Sequence, residues 1–289
     1  VEVTVEPEGR TGTDAPSIHV LDTFTDRAFA GSPAAVVVLA GPAPEGWMQA
    51  VAAELGCPAT AFVVTGAPGE YDLRGFAASA DGGSRAVEAD GHGALAAGAV
   101  VGSLRSDPDV TFRTASGPVR CAVERGHPDR VWIDLPAEPA TLVGHDGSLG
   151  RALGSHEVYT VARSRFDLVV ELADADAVRS LRPDLAAVAR LGGRGVVVTA
   201  PGDRPGVDVV SRYFAPAIGI PEDPVTGSTH CTLAPFWSAR LGRTELCFEQ
   251  LSRRGGIVRT RLDGDRVHLG GAVTPLWSGA LHPRVGPDR

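Results

Sequence analysis

Two segments of this chain are apolar on every face at helical length. Gly91 to Val101 reads GHGALAAGAVV, and Thr229 to Leu241 reads THCTLAPFWSARL. A helix without a polar face has no stable place at a surface, so other elements must enclose it. The fold is therefore expected to surround two buried helices with strands. The flanking sequence supplies them. Ser17 to Phe24 alternates, Ala34 to Leu39 follows a Gly31-Ser32-Pro33 turn, and Thr60 to Thr65 and Tyr71 to Ala77 come next. After the first apolar helix stand Val110 to Arg113, Val119 to Glu124 and Val131 to Leu135.

The second half repeats that order. Val158 to Ala162, Asp167 to Leu172, Gly195 to Ala200 and Val207 to Phe214 precede its apolar helix; Ile257 to Leu262 and Arg266 to Leu269 follow. Two further helices have ordinary signals: Gly46 to Leu55 stops at Gly56, and Ala175 to Arg190 contains Pro183 and closes at Gly192-Gly193. The expected class is α+β: two pseudo-symmetric modules, each a central apolar helix wrapped by mostly antiparallel strands. At 289 residues the chain exceeds one ordinary core. Residues 1–17 are expected to be a flexible lead-in and 18–135 the first module, completed by 271–283. Residues 150–270 are expected to form the second module, and the Pro- and Gly-rich stretch near 135–149 the linker.

Composition narrows the chemistry. There is no lysine, so all 27 basic side chains are arginine. Lysine imines, pyridoxal phosphate held on lysine, and a P-loop are thereby excluded. A net charge of −8 argues against a nucleic-acid or anionic-membrane surface. No apolar run reaches bilayer length, and the start lacks the pattern of a signal peptide. Four scattered cysteines without a CxxC read as reduced thiols of a cytoplasmic protein, and the eight histidines form no HxxxH or HExxH pair. No cofactor and no metal are expected.

The chemistry is expected where the apolar helices begin. A helix start presents unpaired N–H groups and positive dipole charge, and glycine lets a ligand approach that backbone closely. Asp90-Gly91-His92-Gly93 and Thr226-Gly227-Ser228 are such junctions, one per half. Together they would pinch a small carboxylate and hold negative charge developing beside it. Equally, Gly91 and Gly227 would simply cap helices. His92 can move a proton near neutral pH, or its ring can bond a neighbouring carbonyl. Asp90 is either a helix N-cap or a group that orients substrate or acts as base. Asp223 precedes Pro224 and is held extended on a polar loop, a suitable place for a general acid or base. Ser228 adds a hydroxyl without the context of a nucleophile elbow. Cys57 and Cys231 read as packing thiols, and His230 as core.

The segments Ala28-Phe29-Ala30-Gly31-Ser32-Pro33-Ala34-Ala35-Val36-Val37 and Ser211-Arg212-Tyr213-Phe214-Ala215-Pro216, with Pro221 to His230, closely resemble two signature blocks of the PhzF-like phenazine-biosynthesis family. The resemblance runs from about Ile18 to Leu281. It implies the diaminopimelate-epimerase fold, a cofactor-independent isomerase that moves protons, and a homodimer. It places family roles on His92, Asp223 and Ser228. It also marks departures. The family's catalytic glutamate position is Ala59, within Pro58-Ala59-Thr60-Ala61-Phe62-Val63, and the thiols of related epimerases are replaced by Asp90 and Thr226. Two-thiol racemisation is therefore not expected. Two readings follow. In one, an isomerase of a small unsaturated carboxylic acid has moved its base to Asp90, His92 or Asp223; an alkylproline-antibiotic precursor of the pyrroline-carboxylate type is an attractive substrate. In the other, a catalytically inactive relative only binds such an acid.

Overall fold

The computed structural model of the chain describes residues 15–66, 69–79, 82–87, 91–105, 109–127, 129–145, 147–154 and 157–287. Asp90 and most of the expected N-terminal lead-in lie outside these residues.

Strands β1 (Ser17–Thr23), β2 (Ser32–Leu39), β3 (Ala59–Thr65), β4 (Glu70–Ala78), β6 (Asp109–Thr114), β7 (Gly117–Val123), β8 (Arg130–Pro136) and β16 (Arg266–Ala280) pair in that order, and β16 returns to β1. This closes an eight-stranded barrel. The short β5 (Ser84–Val87) pairs only with β4. Inside the barrel runs α2 (Gly91–Arg105), which packs against every one of the eight strands. Ala94, Leu95, Ala96, Ala97 and Val101 are buried there, as an all-apolar helix requires. Outside, α1 (Glu45–Leu55) covers a separate layer through Met48, Val51 and Ala52, against Val20, Ala35, Val37, Phe62 and Phe76.

Beyond β16 the same sheet continues through β15 (Gly256–Asp263), β14 (Glu245–Gln250), β13 (Val209–Phe214), β12 (Gly195–Pro201), β11 (Asp167–Glu171), β10 (Thr160–Arg163) and β9 (Thr141–Leu142). Helix α6 (His230–Leu241) packs on β14, β15 and β16. The connections recur. Parallel pairs β2·β3 and β11·β12 flank amphipathic helices, and parallel pairs β4·β6 and β13·β14 flank α2 and α6. The sheet is thus mixed, with antiparallel pairing elsewhere. One large core joins α2, the barrel and Leu233, Phe236 and Trp237 of α6; a second lies under α3 (Ser148–Leu153), α4 (Ala175–Ser180) and α5 (Leu185–Ala189).

Three local expectations need correction. Ser32 and Pro33 are not in a turn; they open β2, opposite Thr23 and Asp22. Pro33 precedes the β3 register, which begins at Ala34, so its missing N–H costs no bond there. The helix expected over 175–190 is two helices, because Pro183 denies Arg182 helical backbone and Asp184 caps a new start through Ala187 N. The stretch near 135–149 is not merely a linker, since it holds β9 and the beginning of α3.

Candidate active site

The two apolar helices begin against one another. A methyl group at Gly227 would stand 3.7 Å from the backbone nitrogen of His92 and 3.4 Å from the ring of Phe24. Those are ordinary van der Waals separations, so the two helix starts pack directly on one another at this point. Thr226-Gly227-Ser228 thus lies beside Gly91 and His92 although the two segments are far apart in the chain, while Gly93 is buried in the first turn of α2. The N–H groups of Gly227, Ser228 and Thr229 have no acceptor among the described residues. They are the unpaired donors expected before a helix.

His92 is half-buried, and its Nε2 stands 3.2 Å from the carbonyl of Ser32. Only a protonated ring nitrogen satisfies a carbonyl, so a neutral His92 carries its proton on Nε2 and keeps the Nδ1 lone pair for another proton. The Phe24 ring lies 6.1 Å from the His92 ring, centroid to centroid. Phe24 adopts φ 61°, a left-handed backbone that a bulky residue rarely takes. Its carbonyl accepts from Ile257 N at 2.9 Å, and the next amide, Thr25 N, donates to Ala272 O.

Asp223 reaches the junction through Thr226, whose hydroxyl donates to Oδ2 at 2.6 Å. Gln250, buried on β14, clamps the same loop: its Oε1 accepts from Thr226 N at 2.9 Å and its Nε2 donates to Asp223 O at 2.8 Å. Upstream, Glu222 is fixed by a bidentate pair with Arg212 at 2.7 and 3.0 Å. His230 is fully buried; its Nδ1 faces Thr226 O at 2.9 Å, and burial pushes its pKa down to about 4. It is a core histidine that ties the turn to the helix.

Ser228 meets a group absent from the motifs. Arg194 Nη1 donates to its Oγ at 3.1 Å. Arg194 also grips buried Asp167 through Nε and Nη2, at 3.0 and 2.5 Å, and Tyr213 donates to the same carboxylate at 2.9 Å. Ala59 is the first residue of β3 and 3% exposed, in register with Ala34, two residues beyond Ser32. It offers nothing that can move a proton. Burial raises the thiols of Cys121 and Cys231, the latter to about 12, so both are inert packing groups at neutral pH. Among the described residues no group of three or more His, Cys, Asp or Glu side chains is placed to hold a metal ion. A cleft of about 220 Å³ between Trp132, Arg254 and Gly271 shares Phe24 with the site but none of its proton-moving groups.

The profile of the phenazine biosynthesis-like protein family matches residues 21–279. The chain belongs to that family. Among phenazine biosynthesis-like relatives, an uncharacterised isomerase of Pseudomonas aeruginosa is 41% identical over 91% of this chain and 97% of its own length. One from Halalkalibacterium halodurans, also named an uncharacterised isomerase, is 37% identical over 91% and 98%. The crystal structure of a PhzF-family phenazine biosynthesis protein from Enterococcus faecalis superposes with a TM-score of 0.84 at 33% identity, covering 93% of this chain and 99% of the other. The phenazine biosynthesis-like fold, with its closed eight-stranded barrel, mixed sheet and few helices, is thus the fold of this chain. Gly227 lies against Gly91 and His92, Asp223 joins that turn through Thr226, and Gln250 and Arg194 bond to the same turn at Thr226, Asp223 and Ser228 without any local sequence signal.

Proposed function

We propose that this protein is an isomerase that shifts a double bond in a small unsaturated carboxylic acid by proton transfer. The observation that carries the reading is the abutment of the two helix starts at Gly227 and His92. In this scheme one of Asp223 and His92 takes a proton from a carbon conjugated with the acid. The electron pair moves into the π system, and the charge is held by the N–H groups of Gly227, Ser228 and Thr229. The proton returns at the far carbon, so atoms and charge balance with the chain's own groups alone. Asp90 orients the substrate or serves as the base that Ala59 cannot be. A planar pyrroline-carboxylate, a precursor of antibiotic alkylprolines, suits such a site. The reading further takes 18–135 with 271–283, and 150–270, as two pseudo-symmetric modules around α2 and α6, in a homodimer acting in the cytoplasm. Among the described residues no helix is long and apolar enough to cross a membrane.

Ala59 favours a second reading, binding of the acid without turnover. Deuterium uptake from D₂O into a pyrroline-carboxylate, followed by NMR, separates the two. The isomerase exchanges a substrate C–H, and His92→Ala and Asp223→Ala each slow the exchange about 10²–10⁴-fold. Undiminished exchange in both variants defeats the scheme. Saturable binding with no exchange at any carbon establishes the second reading instead.

A further inference from the structure

We propose that Arg194 is a positioning residue that fixes the Ser228 hydroxyl as a donor to an anionic oxygen of the bound acid. Guanidinium has five donors and no acceptor. Ser228 Oγ must therefore accept from Arg194 Nη1, at 3.1 Å, and turn its own O–H elsewhere. That proton has no acceptor among the described residues. A serine free on all sides turns its O–H in any direction; this one keeps its proton turned away from Arg194, available to an acceptor. It does so from the residue after Gly227, where the two helix starts meet.

The hold on Arg194 is built from below. Asp167 is 2% exposed and takes Nε and Nη2 together, which fixes the plane of the guanidinium. Tyr213 donates to Asp167 Oδ1, and a side chain at Gly195 would stand 2.6 Å from that hydroxyl, so glycine is what lets Tyr213 reach the carboxylate. The Arg194 amide donates to Phe166 O at 2.7 Å, and the guanidinium carbon lies 5.2 Å from the Phe166 ring centroid. Two of the five N–H bonds go to Asp167 and one is aimed at Ser228. The chain Tyr213, Asp167, Arg194, Ser228 thus ends in a hydroxyl oriented for negative charge, with a cation directly behind it. This inference rests on the proton-shift reading, because it takes an anionic oxygen to be what Ser228 meets.

The test is a double-mutant cycle on the full chain, read as the dissociation constant for pyrrole-2-carboxylate by titration calorimetry. Ser228→Ala and Arg194→Met each weaken binding about tenfold, the scale of one hydrogen bond. The double variant is no weaker than either single one. Arg194→Lys retains a cation for Asp167, and so guards against a variant that fails to fold; its one ammonium cannot hold both groups in the guanidinium geometry, so it loses affinity as well. A further loss from Arg194→Met or Arg194→Lys in the Ser228→Ala background overturns the inference, since Arg194 then acts on the ligand directly. So does wild-type affinity in Arg194→Lys. The proton-shift reading on which this inference rests fails by a different result, undiminished D₂O exchange in both His92→Ala and Asp223→Ala, so the two failures are distinguishable.

Discussion

Gln250 ties the Asp223–Thr226 loop to β14, because each end of its amide meets a backbone group of the opposite kind. Replacing it by alanine leaves Thr226 N–H and Asp223 C=O without those partners in a buried place, at a cost of about 2 kcal/mol. Gln250→Ala is expected to lower the urea midpoint and to slow any exchange that depends on Asp223; an unchanged midpoint would remove Gln250 from the support. His230 gives a pH signature. Its folded pKa is depressed to about 4 by burial, so between that value and about 6.5 the unfolded chain binds a proton that the folded chain refuses. Stability therefore falls as pH drops through this window, by up to about 3 kcal/mol at its lower end. Urea unfolding at pH 7 and pH 5 should show the loss, and His230→Gln should flatten it. At this scale the motifs exposed Asp223, Ser228 and His92, each beside glycine or proline in the sequence. They could not expose Gln250 or Arg194, which reach the site from positions 24 and 34 residues away in the chain.

Helix α6 contains Pro235, which has no N–H for the carbonyl of Cys231 one turn back. That carbonyl instead accepts Glu138 N at 2.9 Å. A helix-breaking residue thereby docks the strand-free segment after β8 onto the buried helix. Pro235→Ala restores the intrahelical donor in competition with Glu138. Amide hydrogen exchange at Glu138 should accelerate at least about tenfold relative to its neighbours, provided the opened state is reached locally. Unaltered protection would show that the contact does not depend on the proline. Elements were legible wherever periodicity was local: both apolar helices, α1, and most strands. They were misread where pairing overruled punctuation. Ser32 and Pro33 look like a turn until β1 lies beside them, and the stretch 175–190 keeps a helical stripe across a break that Pro183 imposes.

At the scale of the whole molecule, β16 joins everything. Its first part pairs β15 and β8, and Val273–Ala280 pairs β1 to close the barrel around α2. Sequence showed only Arg266 to Leu269 as strand. The rest carries glycine and proline, and its strand character comes from neighbours that lie about 250 residues away. Terminating the chain after Gly271 is expected to abolish cooperative unfolding by calorimetry, because β1 then loses one edge and α2 its enclosure; a sharp transition in the shortened chain would show that closure onto β1 is dispensable. The same strand imposes an order of events during synthesis. Seven strands and the helix they enclose are complete by Pro136, yet the stave that seals them is translated roughly 7–30 s later at about 5–20 residues per second. Through that interval the nascent first half exposes an open seam and an apolar helix to its surroundings.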